Sequence, residues 1–196
     1  MTRASIFSVY EVDRRDRSGD DDGVRSQVPD NKALIVVGQG AAGLAASLSA
    51  AETAKRHGVP LNVTLIDKAP AAEAGGNTRW TPSYMRMAAV DRVEPSFVHD
   101  MLEATRFKGD ETYFATLAHQ APATMKWIAS HGVPFHQPTY YLAKGPPRIQ
   151  PVGGGETIHR ELSRAAENAG VKFRYSCAAD RSEEHTSELQ SLAYLV

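Results

Sequence analysis

The sequence predicts an α/β fold with a central parallel sheet, and three observations carry that prediction. An apolar run, Ala33-Leu34-Ile35-Val36-Val37, feeds directly into Gly38-Gln39-Gly40-Ala41-Ala42-Gly43 and then into an alanine-rich helical pattern. A second apolar run, Leu61-Asn62-Val63-Thr64-Leu65-Ile66, closes on Asp67. An amphipathic helix over 156–169 is followed by the alternating Val171-Lys172-Phe173-Arg174-Tyr175. Strands that alternate with helices of this length pair in parallel, because the helix must carry the chain back to the same end of the sheet.

The first strand and its turn have the pattern of a dinucleotide-binding, Rossmann-like βαβ unit. Gly38 lets the chain turn tightly off the strand. Gly40 lets a diphosphate approach the backbone without meeting a Cβ, and Gly43 lets the helix pack closely on the sheet. The free N–H groups at the helix start, at Ala41 and Ala42, are expected to face the phosphates. The helix is expected over 41–57, with Leu44, Leu48 and Ala51 towards the sheet and Gly58 as its C-terminal cap. Asp67, at the end of the second strand, lies a little beyond the roughly 20 residues at which an acid meets the ribose hydroxyls. A solvated strand-end acid is the plainer alternative. A carboxylate there disfavours a 2′-phosphate, and so NADP.

Residues 70–80 leave the second strand as a small-residue loop in place of a standard crossover helix. Gly75 and Gly76 permit close backbone approach, while Asn77 and Thr78 offer short polar groups. Taken by its chemistry alone, this stretch fits a simple turn equally well. A helix is expected from Pro95, with Phe97, Val98, Met101 and Leu102 as its apolar stripe. Asp110 caps the next, on which Tyr113, Phe114, Leu117 and Ala118 are expected to face one way. Pro122 is expected to restart the helix, which then runs to a cap at Gly132. Residues 133–151, rich in proline and aromatics, have loop or edge-strand chemistry. Gly153-Gly154-Gly155 opens the last helix, where Ile158, Leu162, Ala165 and Ala166 recur at helical spacing. Such a glycine run either offers N–H groups to an anion or serves tight packing. His99, His119, His131 and His136 lack metal-ligand spacing, and no metal site is expected. Cys177 has no neighbour that would activate it.

Composition bounds the function. The chain has 196 residues, 42% apolar and 23% charged, as in a soluble globular protein, and no run approaches the roughly 20 apolar residues of a membrane span. The formal net charge of -1 gives no basic field to draw nucleic acid. One cysteine and no signal peptide point to the cytoplasm.

The ends stand apart. Residues 1–30, with Arg14-Arg15-Asp16-Arg17 and the acids Asp20 to Asp22, have too few spaced apolar residues to offset ordering entropy and are expected to be a disordered leader. Residues 181–196 match the in-frame translation of a common short-read sequencing adapter. They are expected not to be native, with the native chain cut near Asp180 and 31–180 forming the N-terminal part of a larger domain.

The motifs GQGAAG at 38–43, LIDK at 65–68 and GGNT at 75–78 together resemble the FAD-dependent fumarate reductase, succinate dehydrogenase and 3-ketosteroid dehydrogenase superfamily. Within it the chain is most similar to the tricarballylate dehydrogenase type. The resemblance covers roughly 33–179. It implies extended FAD, with the glycine turn on the pyrophosphate, Asp67 on the adenosine ribose, the adjoining Lys68 among the cofactor-binding residues, and Gly75, Gly76, Asn77 and Thr78 near pyrophosphate and flavin. It also places Gly154 and Gly155 close to the flavin, and makes Tyr140, Tyr141 and Arg148 candidate pocket residues. Respiratory members carry a histidine just before this loop for covalent attachment. Glu73 and Ala74 stand there instead, so FAD is expected to be non-covalent. The implied activity is hydride transfer between a carbon–carbon bond of a small carboxylate and flavin N5, with an electron acceptor that the residues do not indicate. Catalytic Arg and His residues are expected beyond Asp180, and the chain as written is expected to be unstable or to aggregate. A ketosteroid-type flavoenzyme and an inert nucleotide-binding module are the rival readings.

Overall fold

The structure, a computed structural model, describes residues 10–11, 32–138 and 145–179. Most of the expected leader, the candidates Tyr140 and Tyr141, and the expected adapter sequence at 181–196 lie outside the described residues. In chain order the elements are β1 (Tyr10–Glu11), β2 (Lys32–Val37), α1 (Ala41–Arg56), β3 (Leu61–Ile66), α2 (Gly76–Trp80), β4 (Met87–Ala89) and β5 (Arg92–Val93). There follow α3 (Phe97–Ala104), α4 (Glu111–Ser130), β6 (Phe135–His136), β7 (Gln150–Pro151), α5 (Gly155–Asn168) and β8 (Lys172–Arg174).

The predicted α/β architecture with a parallel sheet is present. β2 and β3 pair in parallel from Lys32 opposite Leu61 to Val37 opposite Ile66, and β3 pairs in parallel with β8 from Thr64 opposite Lys172 to Ile66 opposite Arg174. β1 runs antiparallel on the other side of β2, giving the order β1-β2-β3-β8. Reading 1–30 as a leader outside the fold left out this two-residue edge strand, which is too short to show any periodicity.

The core explains the sheet's position. Val36, Val63 and Leu65 point from the strands into Leu44 and Leu48 of α1 and Ile158, Leu162 and Ala166 of α5, all nearly free of solvent. α1 packs on β2, β3 and α5. The buried leucines and Ala166 sit at the expected helical positions, with Ala51 and Ala165 half-buried beside them. α1 ends as expected, with His57 at the cap and Gly58 at a φ of 65°.

Three expectations need correcting. Residues 76–80 form a short helical turn rather than a loop, because Gly75 takes a φ of 121° and starts it. Pro122 does not restart a helix. α4 runs unbroken through it, anchored on both sides by buried Phe114 and Met125, so the one backbone hydrogen bond that proline cannot make is tolerated. Of the stripe on the first turns of α4, only Phe114 is buried, while Tyr113 is 60% and Leu117 43% exposed. Asp110 does cap α4, its Oδ1 accepting the Tyr113 N–H at 3.1 Å. Residues 133–151 carry an edge pairing as expected, with Phe135 opposite Pro151, and Met87, Met125 and Ile149 form a second small core beside it.

Candidate functional site

The site is built where β2 and β3 end. The Gly38 N–H donates to the Ile66 carbonyl at 2.8 Å, so the turn begins tied to the neighbouring strand. Gly38 has a φ of 95°, a backbone form that side chains disfavour. At Gly43 an added Cβ would stand 1.8 Å from the Gly38 carbonyl oxygen, so nothing larger than hydrogen fits between the helix and its own turn. Those are the two jobs the sequence assigned to these glycines.

Gly40 opens towards the second glycine segment. A Cβ added there would lie 3.6 Å from Thr78 Oγ1 and 3.9 Å from the Gly75 carbonyl oxygen. The fold thus sets Gly40 against Gly75 and Thr78, which are remote in sequence. The Ala41 N–H donates to Thr78 Oγ1 at 2.9 Å, which corrects the expectation that it faces a phosphate freely. The start of α1 has no other side-chain cap and no acid in its first turn, and Ala42 is exposed, so the helix keeps its positive end for an anion.

Asp67 is fixed on every side. Its Oδ2 accepts the Gln39 N–H at 2.8 Å and its Oδ1 the Ala69 N–H at 2.8 Å. Its own N–H donates to the Arg174 carbonyl at 2.9 Å, and its carbonyl accepts the Cys177 N–H at 2.9 Å. Each carboxylate oxygen retains a second lone pair, which fits a pair of ribose hydroxyls. Lys68 is exposed beside it.

In the second turn Gly75 is buried, Gly76 and Asn77 are exposed and Thr78 is half-buried. Arg79 holds the turn by donating to the carbonyls of Ala72 and Ala74, and its guanidinium lies 5.1 Å from the centroid of exposed Trp80. Behind it, the Gly155 N–H donates to the Thr81 carbonyl at 2.8 Å and the Gly154 N–H to the Pro151 carbonyl at 2.9 Å. A Cβ on Gly155 would come within 1.8 Å of the Thr78 carbonyl oxygen. Of the two readings of this glycine run, the geometry realises tight packing, because those two N–H groups are already used.

Sequence reasoning missed the residues that join these parts. The Gln39 side chain is only 1% exposed, and its Nε2 donates to Ser163 Oγ at 3.1 Å and to the Tyr175 hydroxyl at 3.3 Å. His159 packs under Gly75, where an added Cβ would be 2.9 Å from its Cδ2. Burial, then the Arg79 charge, hold the imidazole below its ordinary range, against smaller opposing effects of Glu156 and Asp67. The one available signal was spacing, since Gly155, His159 and Ser163 recur every fourth residue on α5. Arg148 is exposed, Cys177 is a half-buried free thiol, and His131 pairs with Glu52 at 3.3 Å. Among the described residues no group of three His, Cys, Asp or Glu is placed to hold a metal, and no helix is long and apolar enough to cross a membrane.

Three comparisons with known proteins place the chain's fold. A vinyl phenol reductase of Lactiplantibacillus plantarum is 26% identical over 76% of this chain and 30% of its own length. A flavocytochrome c3 fumarate reductase in its open conformation is 26% identical, with a TM-score of 0.55 over 74% of this chain and 26% of that one. The 3-ketosteroid-Δ4-(5α)-dehydrogenase of Rhodococcus jostii, at 21% identity, shares the fold, with a TM-score of 0.56 over 72% of this chain and 37% of that one. The chain therefore spans under a third of the curated relative it matches. The family match, to the FAD binding domain, covers residues 33–193 and so extends past Asp180 into the stretch read as adapter sequence. Because that match takes in every element from α1 to β8, the chain belongs to the FAD binding domain family.

Proposed function

We propose that this chain holds FAD non-covalently as part of an oxidoreductase acting on a carbon–carbon bond of a small carboxylate, of the tricarballylate or fumarate kind. The observation that carries the cofactor reading is the meeting of two glycine turns at Gly40, with Asp67 held beside them by the Gln39 N–H. In that arrangement the start of α1 faces the diphosphate, Asp67 accepts the ribose hydroxyls, and the Gly75 to Thr78 turn takes the flavin side. FAD, when bound, supplies hydride chemistry at flavin N5. The residues described here bind and orient it, and no catalytic residue is assigned among them.

Carbon–carbon bond chemistry is supported by the names of two relatives, a fumarate reductase and a vinyl phenol reductase, and the carboxylate by the first of these and by the resemblance to the tricarballylate dehydrogenase type. Non-covalent attachment is supported by Glu73 and Ala74 standing where a tethering histidine would be needed. A cytoplasmic location remains part of this proposal, supported by the lone Cys177.

The test uses the full-length product of the gene, with its flavin followed by absorbance under anaerobic conditions. Tricarballylate is expected to bleach the oxidised flavin, or fumarate to restore the reduced one, and acid precipitation is expected to release FAD from the protein. Bleaching by a 3-ketosteroid and not by carboxylates would overturn the substrate class, and flavin retained in the precipitate would overturn non-covalent binding.

A further inference from the structure

The α5 residues Gly155, His159 and Ser163, four apart, lie on one helix face, and each meets a different part of the dinucleotide site. Gly155 packs against Thr78, His159 against Gly75, and Ser163 accepts the Gln39 amide. Gly155 supplies close packing and Ser163 a hydrogen bond. His159 packs against Gly75 but its Nε2, shut off from solvent, has no hydrogen-bond partner. A buried ring nitrogen left unpaired needs a physical reason.

We propose that His159 is the proton-accepting group of this site: its Nε2 takes up a proton as the diphosphate anion settles between the Gly40 and Gly75 turns. The inference rests on the FAD reading given above. The charged groups that act on the ring are Arg79 from α2, Glu156 from its own helix and Asp67 from the end of β3. Burial and Arg79 outweigh the two acids, so the free protein favours the neutral ring. Arg79 cannot follow an incoming anion freely, since its guanidinium is committed to the Ala72 and Ala74 carbonyls. A diphosphate carrying about two negative charges reverses that balance and favours the imidazolium. The sign follows from linkage. A group whose proton affinity rises on binding makes binding tighter as pH falls towards the free group's range, and leaves it unchanged above the bound group's range.

Flavin fluorescence titration of the full chain with FAD between pH 5.5 and 7.5, with calorimetry in two buffers of different ionisation enthalpy, tests this. Affinity is expected to tighten by about tenfold for each unit that binding raises the ring's proton affinity, with net proton uptake on binding near pH 6. His159→Gln is expected to bind FAD with an affinity that no longer rises as pH falls, and without proton uptake. Arg79→Gln, which removes the opposing charge, is expected to move the uptake to higher pH and keeps the test open if His159→Gln does not fold. FAD binding without proton uptake, or uptake that persists in His159→Gln, overturns the role of His159 and leaves the FAD reading standing. Absence of FAD binding at every pH overturns both.

Discussion

Asp67 shows how a single carboxylate is fixed in place with acceptor capacity to spare. Two backbone N–H groups, from Gln39 and Ala69, fix its carboxylate and leave one lone pair on each oxygen. Asp67→Ala is expected to weaken FAD binding by about 10- to 100-fold, the worth of hydrogen bonds to a charged group. FMN carries no adenosine, so its binding is expected to be unchanged by the same substitution. Comparing the two ligands by fluorescence titration separates a ribose contact from general damage. Gln39→Leu tests the other side of the same turn, since it leaves the Ser163 and Tyr175 hydroxyls without their shared partner. That change is expected to cost about 1–3 kcal/mol in urea unfolding. At this scale the glycines were legible, because each follows from what a tight turn or a close helix demands, and Asp67 was legible as the acid that ends the second strand. Gln39 and His159 were hidden, since their partners are more than eighty residues away and no local pattern announces them.

Elements differ in how much of their making is local. β2 was legible as a continuous apolar run, and α1, β3, α5 and β8 because their apolar residues recur at period 2 or 3.6, with Gly58 and Gly170 at positive φ closing the two helices. β1, α2 and the β4–β5 pair were not, being two to five residues long and made by pairing or by one glycine's conformation. In α4, packing of Phe114 and Met125 overrides the local preference of Pro122. Pro122→Ala is expected to restore the bond to the Ala118 carbonyl and raise stability by about 1–3 kcal/mol, read from the urea midpoint. An unchanged or lower midpoint would mean that the proline suits a bend the helix needs. Leu162→Ala, in the middle of the α5 face that covers the sheet, is expected to cost about 2–5 kcal/mol.

For the whole molecule, the strand order β2-β3-β8 matches half of a doubly wound dinucleotide-binding sheet, with the glycine turn at the carboxyl end of β2. The sequence predicted the parallel pairing but not β1, which covers only Leu34 and Ile35 along the edge of β2. Exposed apolar side chains are the molecule's other feature at this scale. Tyr113 and Leu117 stand one turn apart on α4, and Phe107 is 65% exposed. Such surface favours self-association. The double substitution Tyr113→Ser and Leu117→Ser, at two exposed positions, is expected to lower light scattering at a given concentration. The central claim is that the two glycine turns and Asp67 make one FAD site. Titration of the purified full-length product of the gene with FAD, alongside Gly40→Val, tests it most directly. Saturable binding of one FAD per protein is expected, at least tenfold tighter than FMN and lost in Gly40→Val, whose side chain fills the gap to Thr78. Equal affinity for FMN, or binding undisturbed by Gly40→Val, would contradict it.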